Sequence, residues 1–157
     1  MLRKIKLLLL DVDGVLTDGG IYYSGRGEVM KKFNTKDGYG IVKLQRAGIK
    51  IGVITGRMSR IVERRARELG IKDLYENQDE KIVAYGHLKK KYHLSDDEIA
   101  YIGDDEPDLP VIRVVGFSAA PADASSEVAD EVDYVCRCAG GRGAVREVID
   151  LILDARS

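Results

Sequence analysis

The sequence has no tryptophan, three prolines and two cysteines among its 157 residues. It also has no excess of charge of either sign, because 25 basic and 26 acidic residues give a formal net charge of -1. This balance excludes the broad basic field that recruits nucleic acid. Its N-terminal apolar run is far shorter than the roughly 20 residues that a membrane-spanning helix needs. We therefore expect neither a nucleic-acid partner nor a membrane partner.

The two cysteines, Cys136 and Cys138, are separated by one residue. Cysteines at this spacing rarely form a sound disulfide, and two thiols do not complete a zinc site. We expect both to be reduced, as is usual in the cytoplasm. Residues 1–4 lack the small-residue cleavage site of a signal peptide, which also favours a cytoplasmic location.

The length predicts one domain over residues 1–157. Apolar segments of strand length, such as residues 5–10, 49–54 and 99–102, alternate with amphipathic segments of helical period. This alternation predicts an α/β fold with a doubly wound, Rossmann-like parallel sheet and right-handed crossovers. Among the helices, we expect one to open at Asp37, one to run from Pro107 to about Val115, and one to span Ala122 to Asp130.

One segment interrupts the alternation directly after the first strand. Residues 21–33 contain two β-prone arms around a glycine-containing turn, which is typical of a β-hairpin. The hairpin could act as a flap over a site, or as an edge that pairs with another subunit. Between Asp13 and Thr55 there is otherwise room for one helix only, so we expect no large cap domain.

The first strand ends in two carboxylates, Asp11 and Asp13, followed by Gly14. Open α/β sheets bind ligands at the carboxyl ends of their strands, which is where these residues are expected to lie. Two neighbouring carboxylates repel each other, and burying them unpaired is costly. A hard cation that prefers oxygen ligands would remove this cost, so the pattern favours a Mg²⁺ site.

Other polar residues follow later strands, and they are expected at the same edge of the sheet. Thr55, Gly56 and Arg57 follow the second apolar strand, and Asp104 and Asp105 follow a later one. Lys81 lies near the start of the helix expected between them, over residues 79–92. Carboxylates, a hydroxyl, an ammonium group and glycine-rich backbone together suit a phosphate and a metal ion. The set predicts phosphoryl transfer.

Each residue has a predicted role in that chemistry. We expect Asp11 to attack phosphorus and Asp13 to act as general acid and then general base. Thr55 and Lys81 would hold the phosphoryl oxygens as charge develops, and the backbone at Gly14 and Gly56 would contact the substrate. Asp11, Asp13 and Asp104 are the expected metal ligands, and Asp105 is expected to support them through hydrogen bonds.

The order of these motifs resembles the haloacid dehalogenase-like phosphatase superfamily over nearly the whole chain. The corresponding segments are residues 11–19, Thr55-Gly56-Arg57, Lys81 and Gly103-Asp104-Asp105. The resemblance implies that Asp11 is the nucleophile and Asp13 the acid/base residue. It also implies that Mg²⁺ binds the backbone carbonyl of Asp13.

A narrower resemblance is to the 3-deoxy-D-manno-octulosonate 8-phosphate phosphatases, carried by residues 16–19, 36–41, 103–110 and 140–147. It implies a phosphorylated sugar acid as substrate, a role in lipopolysaccharide biosynthesis, and a homotetramer in which the hairpin makes subunit contacts. Arg57 and Arg142 are candidate ligands for a substrate carboxylate or phosphate, although either could equally be a surface residue. The chain stops at Ser157, so we expect no long tail to enter a neighbouring site.

Three other interpretations have to be weighed. The substrate could be another keto-sugar acid phosphate. The chain could instead be a non-catalytic oligomerisation module, similar to those fused to sialic-acid nucleotidyltransferases, although the intact motif set disfavours this. A phosphoacceptor receiver domain also uses acidic residues, Thr and Lys around Mg²⁺. In a receiver domain, however, the acceptor Asp follows a later strand, and this order differs from the one seen here.

Overall fold

The computed structural model describes residues 1–157, and its centre is a six-stranded sheet in which all neighbouring strands run parallel. The strands in chain order are β1 (Leu7–Leu10), β2 (Tyr22–Ser24), β3 (Gly27–Met30), β4 (Lys50–Ile54), β5 (Asp73–Tyr75), β6 (Ile99–Ile102), β7 (Phe117–Ala120) and β8 (Tyr134–Val135). The helices are α1 (Thr35–Arg46), α2 (Arg60–Glu68), α3 (Lys81–Lys91), α4 (Leu109–Ile112), α5 (Ser126–Glu131) and α6 (Ala144–Asp154). The order of the strands across the sheet is β5-β4-β1-β6-β7-β8.

Strand β1 lies in the middle of the sheet, and its four leucines are fully buried. Successive side chains of a strand point to opposite faces. Leu8 and Leu10 accordingly join an apolar cluster with α1, α2 and α6, and Leu7 and Leu9 join a second cluster with α3, α4 and α5. Helices therefore cover both faces, and the prediction of a doubly wound parallel sheet is confirmed.

Segment 21–33 forms the predicted β-hairpin, in which β2 and β3 pair antiparallel and stay separate from the main sheet. No large cap domain is present. The hairpin exposes four large apolar side chains, those of Tyr22, Tyr23, Val29 and Met30. None of the helices has both the length and the hydrophobicity that crossing a bilayer requires.

Three predicted helix boundaries were wrong, and local hydrogen bonding explains two of them. Helix α1 starts at Thr35, because the Asn34 side chain accepts hydrogen bonds from the next free backbone N–H groups. Helix α5 starts at Ser126, because Ser125 caps it through the backbone N–H of Val128. Pro107 lies within a 3-10 turn, Glu106–Asp108, and the helix that follows ends at Ile112, three residues earlier than expected.

Strands β4 and β6 flank β1, and their registers bring three strand ends together. Leu10 is paired with Val53 on one side and with Ile102 on the other. The backbone N–H of Asp11 continues the ladder by donating to the carbonyl of Ile102. The residues that follow β1, β4 and β6 therefore meet at one edge of the sheet.

Candidate active site

An open polar cavity of about 510 Å³ lies at this edge, and no hydrophobic residue lines it. Eight of the ten residues predicted for the site line the cavity. They are Asp11, Asp13, Thr55, Gly56, Arg57, Lys81, Asp104 and Asp105. The structure therefore brings together residues that are up to 94 positions apart in the sequence, as the argument from strand ends required.

Lys81 lies between two aspartates at the bottom of the cavity. Its Nζ is 2.8 Å from Asp11 Oδ1 and 2.6 Å from Asp108 Oδ1. All three residues are buried. Lys81 is the first residue of α3, and this position directs it at the end of β1. The buried ammonium group fixes the Asp11 carboxylate and partly offsets its charge.

Asp108 is the residue that the sequence argument missed as a member of the site. Besides Lys81, its oxygens accept hydrogen bonds from the hydroxyl of Tyr101 and from the backbone N–H groups of Asp104 and Asp105. Both carboxylate oxygens are thus occupied by protein donors, so Asp108 orients Lys81 and the loop after β6. Its position four residues after Asp104, with Pro107 favouring a tight turn between them, was the available signal.

Gly14 does not line the cavity, but it makes room for Asp104. It has a positive φ of 88°, and a Cβ atom at this position would lie 1.9 Å from Asp104 Oδ2. Any other residue would therefore displace the carboxylate and strain the backbone. The predicted contact of Gly14 with substrate stays a prediction, and its observed neighbour is Asp104.

The carboxylates of Asp11 and Asp104 lie close together and repel each other. Burial, together with the charge of Asp108, raises the pKa of Asp11 to about 6, despite the opposing effect of Lys81. Burial and the adjacent Asp11 raise the pKa of Asp104 to about 8. Asp11, Asp104 and Asp108 each offer an oxygen within 4.8 Å of the others, and a single ammonium group faces the three carboxylates. A divalent cation bound by Asp11 and Asp104 fits this uncompensated negative charge.

The loop after β4 brings a hydroxyl and a guanidinium group to the cavity. Thr55 is buried, and its Oγ1 accepts a hydrogen bond of 3.4 Å from the backbone N–H of Arg57, which leaves its own hydrogen free to donate. The Arg57 guanidinium binds the hydroxyl of Tyr23 on the hairpin, and this bond raises the pKa of Arg57. The hairpin thus reaches the rim of the cavity.

Asp13 lies on the cavity wall, and its carboxylate is bound by a residue that the sequence argument did not single out. Lys31, at the end of the hairpin, contacts Oδ1 of Asp13 and also lies 3.4 Å from Oε2 of Glu28. No local pattern identifies this pair, because the two residues are 18 positions apart and meet only through the hairpin.

The last two residues predicted for the site, Asp105 and Arg142, are both exposed. The exposed Asp105 caps the following 3-10 turn by accepting from the backbone N–H of Glu106, and its predicted support of the metal ligands stays a prediction. Arg142 is exposed and does not line the cavity. Its loop contacts the first acidic loop, since Gly141 donates to the Val15 carbonyl at 3.0 Å and a Cβ on Gly140 would lie 1.8 Å from the Gly14 oxygen.

The chain was compared with known families and proteins. The family model for haloacid dehalogenase-like hydrolases matches residues 68–149. The 3-deoxy-D-manno-octulosonate 8-phosphate phosphatase KdsC of Escherichia coli (strain K12) is 49% identical over 154 residues, which cover 98% of this chain and 82% of that protein.

Solved structures give the same relationship. The phosphatase of this name from Yersinia pestis superposes with a TM-score of 0.97 at 48% identity, covering 99% of this chain and 84% of that one. The enzyme from Moraxella catarrhalis, solved in complex with a magnesium ion, a phosphate ion and a KDO molecule, has a TM-score of 0.96 at 43% identity, covering 99% and 89%.

Proposed function

The chain belongs to the haloacid dehalogenase-like hydrolases, and we propose from its similarity to the 3-deoxy-D-manno-octulosonate 8-phosphate phosphatases that it hydrolyses 3-deoxy-D-manno-octulosonate 8-phosphate to the free sugar acid and phosphate. It is a phosphoric monoester hydrolase, and Mg²⁺ is its cofactor. The observation that carries the proposal is the buried lysine between Asp11 and Asp108, next to Asp104, in a cavity that no hydrophobic residue lines.

In the first step, an oxygen of the Asp11 carboxylate attacks phosphorus, and the bond between phosphorus and the sugar oxygen breaks. Asp13 donates a proton to the departing oxygen, so the sugar acid leaves as a neutral alcohol. The product on the protein is an aspartyl-phosphate at Asp11. Lys81, which binds Oδ1 of Asp11, holds the nucleophile and offsets the charge that develops next to it.

In the second step, Asp13 acts in the opposite direction and takes a proton from the water that attacks phosphorus. The bond between phosphorus and Asp11 breaks, phosphate leaves, and both carboxylates return to their starting forms. The free hydroxyl hydrogen of Thr55 and the backbone of Gly56 would bind phosphoryl oxygens in both steps.

Asp11 and Asp104 would hold Mg²⁺ through their side chains. Asp13 would contribute its backbone carbonyl, as the family resemblance implies, while Oδ1 of its carboxylate contacts Lys31. When bound, the ion neutralises the phosphate oxygens and lowers the repulsion between the phosphate and the attacking carboxylate. Asp108 is left out of the set of metal ligands, because both of its carboxylate oxygens already accept hydrogen bonds from protein donors.

Arg57 at the rim is the proposed ligand for the sugar-acid part of the substrate, since a guanidinium group binds carboxylates in a bidentate manner. The exposed Arg142 would contact a substrate that extends beyond the cavity wall. It could also contact a substrate bound in the cavity of a neighbouring subunit. Residues 1–157 would act as one catalytic domain, working in the cytoplasm, where free thiols such as Cys136 and Cys138 persist. The step would serve lipopolysaccharide biosynthesis.

We also propose that the protein is a homo-oligomer, with a tetramer as the expected form. The hairpin exposes Tyr22, Tyr23, Val29 and Met30, each at least half exposed, on one small two-stranded ribbon. Such a ribbon, with apolar side chains and free strand edges, is well suited to pair with a second copy. Burial of the hairpin by a neighbour would also stabilise the contact between Tyr23 and Arg57 at the rim.

The test is phosphate release from a panel of sugar phosphates, with and without a chelator of divalent cations, for the wild type and Asp11→Asn. We expect turnover to be fastest with 3-deoxy-D-manno-octulosonate 8-phosphate, to require Mg²⁺, and to fall by at least about 10³-fold in Asp11→Asn. The matched control is Asp130→Asn, which removes an exposed carboxylate from α5 and should be fully active.

Different outcomes separate the alternatives. Preference for another keto-sugar acid phosphate would change the substrate and keep the mechanism. Mg²⁺ binding without turnover on any substrate would favour a non-catalytic interaction module. Turnover that survives both chelation and Asp11→Asn would refute the mechanism.

A further inference from the structure

Lys31 is buried in a place where a charged residue is unexpected. Its side chain has no exposed surface, whereas the preceding Val29 and Met30 are 54% and 52% exposed. Lysine is almost never fully buried unless it is paired, because removing an ammonium group from water is costly. If this segment had only to be anchored, burying one of the two apolar neighbours would achieve it at lower cost.

The partners of Lys31 connect the hairpin to the catalytic loop. Its Nζ binds Oδ1 of Asp13 and lies 3.4 Å from Oε2 of Glu28. The other oxygen of Glu28 accepts a hydrogen bond of 2.5 Å from the hydroxyl of Ser59, the residue that caps α2. The Lys31 ammonium group therefore contacts a second carboxylate, that of Glu28, which is itself fixed to the start of α2 by Ser59.

On the basis of the proposed function, we propose that Lys31 is a positioning residue for the general acid, Asp13. Lys31 donates to Oδ1, and no protein donor binds Oδ2. The carboxylate is thereby held in one orientation, and Oδ2 is the oxygen left to pass a proton to the leaving group. In the first step the Oδ2–H bond breaks, the proton moves to the sugar oxygen, and the phosphorus–oxygen bond breaks as Asp11 bonds to phosphorus.

This role predicts how the rate depends on the leaving group. A poor leaving group needs the proton, whereas 4-nitrophenolate leaves readily without it. The experiment measures kcat/KM, which reports the steps through leaving-group expulsion, for a series of substituted phenyl phosphates and for the sugar-acid phosphate. The proteins are wild type, Lys31→Met, Asp13→Asn and the control Lys32→Met, which changes the exposed neighbour.

General acid catalysis contributes about 10²–10⁴-fold, so a disordered acid should lose a substantial part of that factor. For Lys31→Met we expect a loss of about 100-fold with the sugar-acid phosphate and under about 3-fold with 4-nitrophenyl phosphate. The plot of log kcat/KM against leaving-group pKa should steepen towards that of Asp13→Asn, and Lys32→Met should match the wild type.

The slope of that plot does not depend on how much of a preparation is folded, because every substrate is tested on the same sample. An equal loss for every leaving group, or no loss, would overturn the positioning role and leave the proposed function intact. A wild type without phosphatase activity would overturn both.

Discussion

Lys81 and Asp108 form an ion pair that is almost closed to solvent, with 2.6 Å between Nζ and Oδ1 and side-chain exposures of 5% and 1%. Asp108→Ala would leave Lys81 with a single carboxylate partner, Asp11, whose Oδ1 lies 2.8 Å from Nζ. Asp108 also accepts from Tyr101 and from two backbone N–H groups, so its loss would leave these donors unpaired as well.

Because these buried donors would lose their acceptor, we expect Asp108→Ala to lower the free energy of unfolding by about 3 kcal/mol or more, measured by urea denaturation. The matched variant Tyr101→Phe removes a single hydrogen bond of the same carboxylate and should cost about 1 kcal/mol. A loss below about 1 kcal/mol for Asp108→Ala would contradict the view that this carboxylate organises the loop after β6.

The space at Gly14 gives a prediction about the metal site. In Gly14→Ala, the new methyl group would overlap Asp104 Oδ2, and the positive φ would add backbone strain. Asp104 must then move, so the Mg²⁺ concentration for half-maximal activity should rise by about 10-fold or more, equivalent to about 1.4 kcal/mol of lost binding.

The control for this experiment is Gly86→Ala on α3. Gly86 is exposed, and a Cβ there meets nothing within 4 Å. Alanine at this helical position should stabilise the protein slightly and leave the Mg²⁺ requirement unchanged. Gly14→Ala with a normal Mg²⁺ requirement would show that Asp104 is not a metal ligand.

The raised pKa values of Asp11 and Asp104 predict how stability depends on pH in the absence of metal. Both groups ionise near 3.8 in an unfolded chain but near 6 and 8 in the folded one, so the folded state binds more protons between about pH 4 and pH 8. Stability therefore falls as the pH rises through this range. The measurement is the melting temperature in the presence of a chelator at pH 5, 6, 7 and 8. We expect the contribution of Asp11 and Asp104 to this temperature to decrease as the pH rises.

Mg²⁺ competes with those protons, so it should bind more tightly and raise the melting temperature by a larger amount at pH 8 than at pH 5. The variant Asp104→Asn removes one of the two raised groups, and its melting temperature should depend less on pH and on Mg²⁺. A Mg²⁺ effect that is larger at pH 5 would be inconsistent with a site made of these two carboxylates.

The exposed side chains of the hairpin predict the effect of charge on assembly. Introducing like charges with Val29→Glu and Met30→Glu would make pairing of two hairpins unfavourable. We expect the double variant to show a smaller mass than the wild type by light scattering. Val114→Glu, at an exposed apolar site between α4 and β7, is the control and should keep the wild-type mass.

If the wild type is monomeric, or if the double variant keeps the wild-type mass, the proposal that the hairpin mediates assembly is refuted. Catalytic rate should be measured on the same samples, since the hairpin also carries Tyr23 and Lys31 towards the cavity.

The sequence identified the parts of the site that follow from sheet topology. Asp11, Thr55 and Asp104 each follow an apolar run, and parallel pairing of β4, β1 and β6 places them at one edge. Lys81 could be placed because it begins a helix on the correct side. These predictions needed only the period of the apolar residues and the positions at which the strands end.

The partners of these residues could not be predicted in the same way. Asp108 pairs with Lys81 because a 3-10 turn brings it back under Asp104, and sequence alone drew attention to the adjacent but exposed Asp105. Lys31 meets Asp13 because of how the hairpin folds over, and hairpin orientation is set by tertiary contacts. The start of α1 was misplaced because Asn34, three residues ahead of the expected start, proved to be the better cap.

The contact between the Gly140-Gly141 turn and the backbone of Gly14 and Val15 joins the two ends of the primary structure. During synthesis, the nucleophile-bearing loop emerges first and has to wait for about nine-tenths of the chain before its supporting turn exists. Chain termination just ahead of that turn should therefore yield a protein that cannot close the catalytic loop, even though every acidic residue of the site has already been translated.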